Sequence, residues 1–177
     1  MISDFIKGRK KFDYPPVVQQ GIALHRAIDA FTDDHPVTKE ARLFFKPAVG
    51  LYSGAFVDVS YDHFLANDPY QFKGDGLSLF TEDTYRTLLA YKGILPDDFR
   101  GMLPYMTTQN WLYNYSNRRG IESSFGGVVR RARYMTDSSE VFSLFSQHYE
   151  ALQKCYNEFF PSLKEFTVQQ LKDLGIA

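Results

Sequence analysis

The sequence predicts an all-α fold, and three observations predict it. Apolar residues recur at steps of three and four along most of the chain, which is the periodicity of amphipathic helices. No segment alternates apolar and polar residues for more than a few positions, so strands are not expected. Prolines and glycines fall between the periodic stretches, where helices begin and end. The expectation is one domain over residues 1–177, a globule of about seven to nine helices.

The first helix is expected to open at Pro15 or Pro16, where a missing N–H costs nothing, and to stop at His35-Pro36. Val18, Ile22, Ile28 and Phe31 form its apolar stripe. A short helix from Thr38 to about Phe45 follows, broken by Pro47 and Gly50. Leu51 to Ala66 reads as the next, ended by Asn67-Asp68-Pro69. Lys73 to Leu77 reads as a loop, after which Thr81 caps a helix with Glu82 and Asp83 in its first turn, closed by Gly93. Pro96 and Pro104 bracket a short helix. Trp111 to Tyr115 is helical, and Gly120 separates it from Ile121 to Tyr134. Asp137 and Glu140 have capping-box spacing and open a helix whose apolar stripe is Val141, Leu144, Phe145, Leu152, Cys155 and Phe159. Pro161 interrupts that helix, and Gly175 ends a last short one.

Composition narrows the function. Lys and Arg number 20 against 21 Asp and Glu, so no global charge attracts nucleic acid or a membrane surface. The longest charge-free run, Gly101 to Asn117, is too polar to span a bilayer. No signal peptide is visible, and the single cysteine, Cys155, excludes an internal disulfide, so a cytoplasmic location is expected. Cys155 and His148 both lie on the apolar stripe and read as core residues.

Chemistry concentrates in two motifs. His25 and Asp29 stand four apart, which puts both on one helix face, and Asp33 continues the line. Asp58 and Asp62 repeat the step, with His63 adjacent. Two such helices packed together bring imidazoles and carboxylates to one point, where like charges repel unless a cation neutralises them. The donor set suits Mn²⁺, Fe²⁺, Zn²⁺ or Mg²⁺, and such a centre activates water for attack on phosphorus. Arg26 is placed to neutralise phosphate charge. The alternative for each motif is an ordinary ion pair on a helix surface. Arg118, Arg119, Arg130, Arg131 and Arg133 face only one acid, Glu122, over Arg118 to Arg133, a local net charge of +4 that reads as a dock for an acidic partner or a solvated helix face.

Three blocks resemble the acyl carrier protein phosphodiesterases: Asp4-Phe5-Ile6-Lys7-Gly8, the stretch Gly21 to Asp29 with Thr32-Asp33, and Asp58 to Leu65. Trp111-Leu112 with Tyr115, Gly120-Ile121, the arginines near Arg131 and Phe159-Phe160-Pro161 fit the later pattern more loosely. The resemblance implies an all-helical fold similar to HD-domain metal phosphohydrolases, manganese dependence (with Mg²⁺ or Fe²⁺ as substitutes), and a role in lipid metabolism. It implies cleavage of the phosphodiester joining 4′-phosphopantetheine to a serine of holo-acyl carrier protein, an acidic substrate that suits the arginines. It implies Asp4, His25, Asp29, Asp62 and His63 as metal ligands, with Asp33 and Asp58 as supporting or alternative ones, and Asp62, Arg26 and Lys7 as catalytic groups. Members of that family usually begin some twenty residues earlier, with an Asn-x-Leu-Ala-His-like segment. Either Met1 is an internal start or the element is absent, and a centre without its histidine is expected to hold metal less tightly or to be inactive. Two rival functions stay open at this point: an HD-like phosphohydrolase acting on nucleotides or small phosphodiesters, and an inert helical protein that binds an acidic partner.

Overall fold

The structure, a computed structural model, describes residues 2–176. Among them are nine α-helices and no strand. They are α1 (Pro16–Asp34), α2 (Pro36–Val49), α3 (Ser53–Ala66), α4 (Gly76–Ala90), α5 (Asp97–Thr108), α6 (Trp111–Asn114), α7 (Arg118–Arg131), α8 (Ser139–Gln147) and α9 (Tyr149–Asp173). Two 3-10 turns, Ser3–Phe5 and Gly8–Asp13, precede α1 and pack against it.

The main core lies between α2, α3, α7, α8 and α9. Phe45, Phe56, Phe125 and Phe145 meet there with no exposed surface. Their rings cross mostly edge to face, as at 5.1 Å between Phe56 and Phe125. Burying each ring stabilises the fold by roughly 1.5–3 kcal/mol. A smaller core of Tyr85, Leu95, Phe99, Leu103 and Met106 joins α4, α5 and α6, and Ile2 and Phe5 pack against it. The N-terminal stretch is therefore pinned between α1 and this second lobe.

Pro16 does open α1, and His35 ends it. His35 also caps α2, its Nδ1 accepting from Val37 N at 3.3 Å. Asn67 ends α3 as expected. Three prolines were expected to break helices and do not: Pro47, Pro104 and Pro161 lie inside α2, α5 and α9. All three are exposed, on the solvent side of their helices, where water replaces the lost hydrogen bond while the opposite face stays packed. The helix from Asp137 divides instead at His148, which is half-buried and stacks on Phe44 at 4.8 Å. Cys155 is buried in the core, as read from its stripe.

Thr81 is no cap. The helix starts five residues earlier, at Gly76, and the buried Thr81 hydroxyl donates to the Ser78 carbonyl at 2.8 Å. The Asp137 capping box does not form either; its carboxylate accepts from Ser139 N at 3.1 Å, two residues on, and α8 begins there. Gly120 lies within α7 rather than before it, and Asn117 caps that helix through Gly120 N at 2.9 Å. A Cβ at Gly120 would stand 1.8 Å from the Asn114 carbonyl oxygen, so only glycine lets α6 and α7 meet.

Candidate functional site

On α1, the four-residue step carries His25, Asp29 and Asp33 down one face. His25 Nδ1 pairs with Asp29 Oδ2 at 2.9 Å. Asp4, on the first 3-10 turn, joins them, and one ligand atom from each of Asp4, His25 and Asp29 lies within 4.8 Å of the others. Arg26 holds Asp4's segment in place, its Nη2 donating to the Ile6 carbonyl at 2.6 Å. It is thus tied to backbone rather than standing free for phosphate, which corrects the sequence expectation. Lys7, the next residue, is exposed.

On α3 the same step lines up Gly54, Asp58 and Asp62. Both residues are exposed on α3, with many protein atoms packed around their carboxyls. Burial, then the Asp33 charge, with smaller contributions from Asp29 and Asp4, push Asp58 from 3.8 to about 6, against a lowering pull from Arg42. Burial, then the Asp58 charge, push Asp62 to about 7, opposed by the nearby Tyr115 hydroxyl. These mutual charges join the α1 and α3 faces into one field of five carboxylates: Asp4, Asp29, Asp33, Asp58 and Asp62.

His63 is not part of it, and this is the main correction. One residue beyond Asp62, it turns about 100° round the helix into the core, where it is 4% exposed. Its Nδ1 bonds the Tyr115 carbonyl at 2.7 Å, and its Nε2 bonds the Tyr149 hydroxyl at 3.0 Å. With both nitrogens committed, the ring has no lone pair for a metal. Burial lowers its pKa below 6.5, so the ring is neutral at neutral pH.

Two residues at the site escaped the sequence reading. Arg42 of α2 ion-pairs with Asp33 and also acts on Asp58, so it stands between the α1 and α3 faces. Gly54 leaves room for it: a Cβ there would lie 3.2 Å from Arg42 Nη2. Tyr115, after α6, lies beside Asp62, and its phenol is held well above the ordinary range by burial and by the Asp62 charge. Neither has a signal in local spacing, because both arrive through tertiary packing.

The five arginines do not make one patch. Arg118 and Arg119 open α7, whereas Arg130 and Arg131 end it and Arg133 follows. A helix of 14 residues separates the two groups by about 20 Å. Arg118 donates to Ser146 Oγ at 2.6 Å and lies over the Phe142 ring, while Arg133 lies over Tyr134. Arg131 acts on Tyr115, so the C-terminal group is the one nearer the carboxylates. A cavity of about 540 Å³ lined by Ala27, Phe31, Asp34, His35 and Phe166 among others opens on a different face of α1 and is mostly apolar.

Comparison with known proteins assigns the chain to a family. The family model described as acyl carrier protein phosphodiesterase matches residues 1–163, a stretch that contains every residue of the site. The chain belongs to the acyl carrier protein phosphodiesterase family. It is similar to a Yersinia pestis protein named acyl carrier protein phosphodiesterase, 29% identical over 92% of this chain and 85% of that one. An Escherichia coli O6:H1 protein of the same name is 28% identical over 93% and 86%, and one from Salmonella agona is 27% identical over 92% and 85%. No solved structure matches. Among the described residues, no helix of this family member is long and apolar enough to cross a membrane.

Proposed function

We propose that the chain is a divalent-metal-dependent phosphodiesterase, with Mn²⁺ the favoured ion and Mg²⁺ or Fe²⁺ its substitutes. It hydrolyses the bond between 4′-phosphopantetheine and a serine of holo-acyl carrier protein, in the cytoplasm. The observation that carries the reading is the Asp4–His25–Asp29 trio beside Asp58 and Asp62, within a chain matched to the family over residues 1–163.

The residues fit a hard cation. Asp4, His25 and Asp29 each bring one ligand atom within 4.8 Å of the others, a set of carboxylate oxygens and an imidazole nitrogen that suits a divalent ion. Five acids share the cleft, with Arg42 as a counter-charge already paired to Asp33. Asp4, His25 and Asp29 would hold the ion, with Asp58, Asp62 and Asp33 as further or supporting ligands. A bound ion would supply an acidified water and neutralise phosphate charge. The HD-like relationship belongs to the same proposal.

The chain's own groups divide the remaining work. Asp62, exposed on α3 beside Asp58, takes a proton from the attacking water. Water adds to phosphorus, the bond from phosphorus to the serine oxygen breaks, and that oxygen gains a proton. The products are apo-carrier, with a free serine hydroxyl, and 4′-phosphopantetheine. Tyr115 orients the Asp62 carboxyl, Lys7 contacts the phosphate, and Arg26 keeps Asp4 in place. Incubation with holo-carrier and Mn²⁺ is expected to lower the carrier's mass by one phosphopantetheine group. Unchanged carrier mass with folded, metal-loaded protein would overturn the reading, and cleavage of small phosphodiesters alone would move it to a small-substrate phosphohydrolase.

A further inference from the structure

Between the site and α1 lies a short arch, Lys7 to Asp13, containing Lys7, Arg9, Lys10 and Lys11. Lys7, Arg9 and Lys10 are exposed and Lys11 is half-exposed. None of the four forms an ion pair among the described residues, whereas Lys39, Arg42, Arg86 and Arg100 are each paired to an aspartate. Asp13, at the far end of the arch, is its one acid. Four cations against one acid in seven residues repel one another, a cost that an opposing acidic surface removes.

The arch is pinned at both ends to α1. Arg26 donates to the carbonyl of Ile6, just before it, and Gln19 donates to the carbonyl of Tyr14, just after it, at 2.7 Å. Gly8 turns the chain at φ +56°, in the left-handed region. Lys10 N bonds the Lys7 carbonyl at 3.3 Å and closes the turn. The cations are thus presented on a fixed backbone, so little ordering is needed when a partner docks. Lys7 follows Asp4 by three residues, so their Cα atoms lie within about 11 Å.

We infer that this arch is the docking surface for an acidic face of the carrier protein. The inference rests on the proposed substrate and adds where it binds. In that substrate the scissile phosphorus is bonded directly to a serine oxygen, with no spacer between the carrier's surface and the reacting atoms. The carrier must therefore touch the surface around the carboxylates, and the arch begins three residues after Asp4. Arg118 and Arg119, about 20 Å from the other end of α7, are placed for a different contact.

The test is the double charge reversal Arg9→Glu with Lys10→Glu, beside Arg9→Gln with Lys10→Gln, in the full chain loaded with Mn²⁺. Circular dichroism establishes folding. Calorimetry gives Kd for apo-carrier, and mass-resolved kinetics give KM and kcat for holo-carrier, at low and high salt. The reversal is expected to raise Kd and KM at least tenfold and to flatten their salt dependence, with kcat retained. The neutral pair is expected to show a smaller rise in the same direction. Wild-type Kd in a folded reversal variant would overturn the inference, as would a larger loss from Arg118→Glu with Arg119→Glu. Absence of carrier binding by the wild type would overturn it too. Wild-type binding without turnover would instead sink the phosphodiesterase reading, and the docking surface would then stand or fall on Kd alone.

Discussion

The motif on α1 and the motif on α3 look alike in sequence and part company in space. His25 and Asp29 are four residues apart, share a face and pair at 2.9 Å on an accessible surface. Asp62 and His63 are neighbours, so one faces the cleft and the other the core. The difference teaches that separation along a helix, rather than closeness in sequence, decides which groups can cooperate. It also gives the two histidines different surroundings: His25 lies with Asp4 and Asp29 at the candidate site, and His63 holds α3 to α6 and α9 through Tyr115 and Tyr149.

That contrast is most sharply exposed by replacing each histidine. His25→Ala is expected to lower kcat/KM for holo-carrier on the order of a thousandfold, about 4 kcal/mol of transition-state stabilisation. Its melting temperature should scarcely move, because an exposed ion pair contributes only about 0.2–1 kcal/mol. A variant that keeps full turnover would remove His25 from the site.

His63→Ala should do the reverse. It leaves the Tyr115 carbonyl and the Tyr149 hydroxyl without their partner and opens a cavity in the core, costing about 3 kcal/mol in chemical denaturation. Manganese bound per folded chain should stay at the wild-type level. Lost metal with unaltered stability would restore His63 to the ligand set and erase the distinction between the two motifs.

The smallest effect is a dependence on pH. In metal-free protein, Asp58 and Asp62 keep protons to about 6 and 7, whereas the unfolded chain releases them near 3.8. Their contribution to stability is therefore full below about pH 4 and is lost as the pH rises through 7. Asp58→Asn removes part of that loss, so in EDTA the variant should gain on the wild type steadily from pH 4 to 7. Saturating Mn²⁺ should shrink or invert the gap. Parallel denaturation curves across that range would show that the α3 face carries no such strain.

Much of α1 was legible because its limits are local: Pro16 at the start, His35-Pro36 at the end, and a four-step row of polar groups between. The α3 row was legible for the same reason, but not the side to which His63 turns, since a mixed stripe with Val57, Phe64 and the aspartates fits several orientations. Pro47, Pro104 and Pro161 were misread because propensity is a local rule and burial of the opposite helix face overrides it. Arg42 and Tyr115 were beyond reach: α2 packing on α3, and the Gly120 contact that seats α6 on α7, decide where they go.

The cleft draws its carboxylates from a 3-10 turn near the start of the chain and from two helices separated by a third. An unfolded chain holds no such convergence, so an ion that fits there recognises the native state alone. Each tenfold rise in free ion above its Kd then adds about 1.4 kcal/mol to the folded state. A cation held by these residues would thus tie the stability of the fold to the supply of that ion.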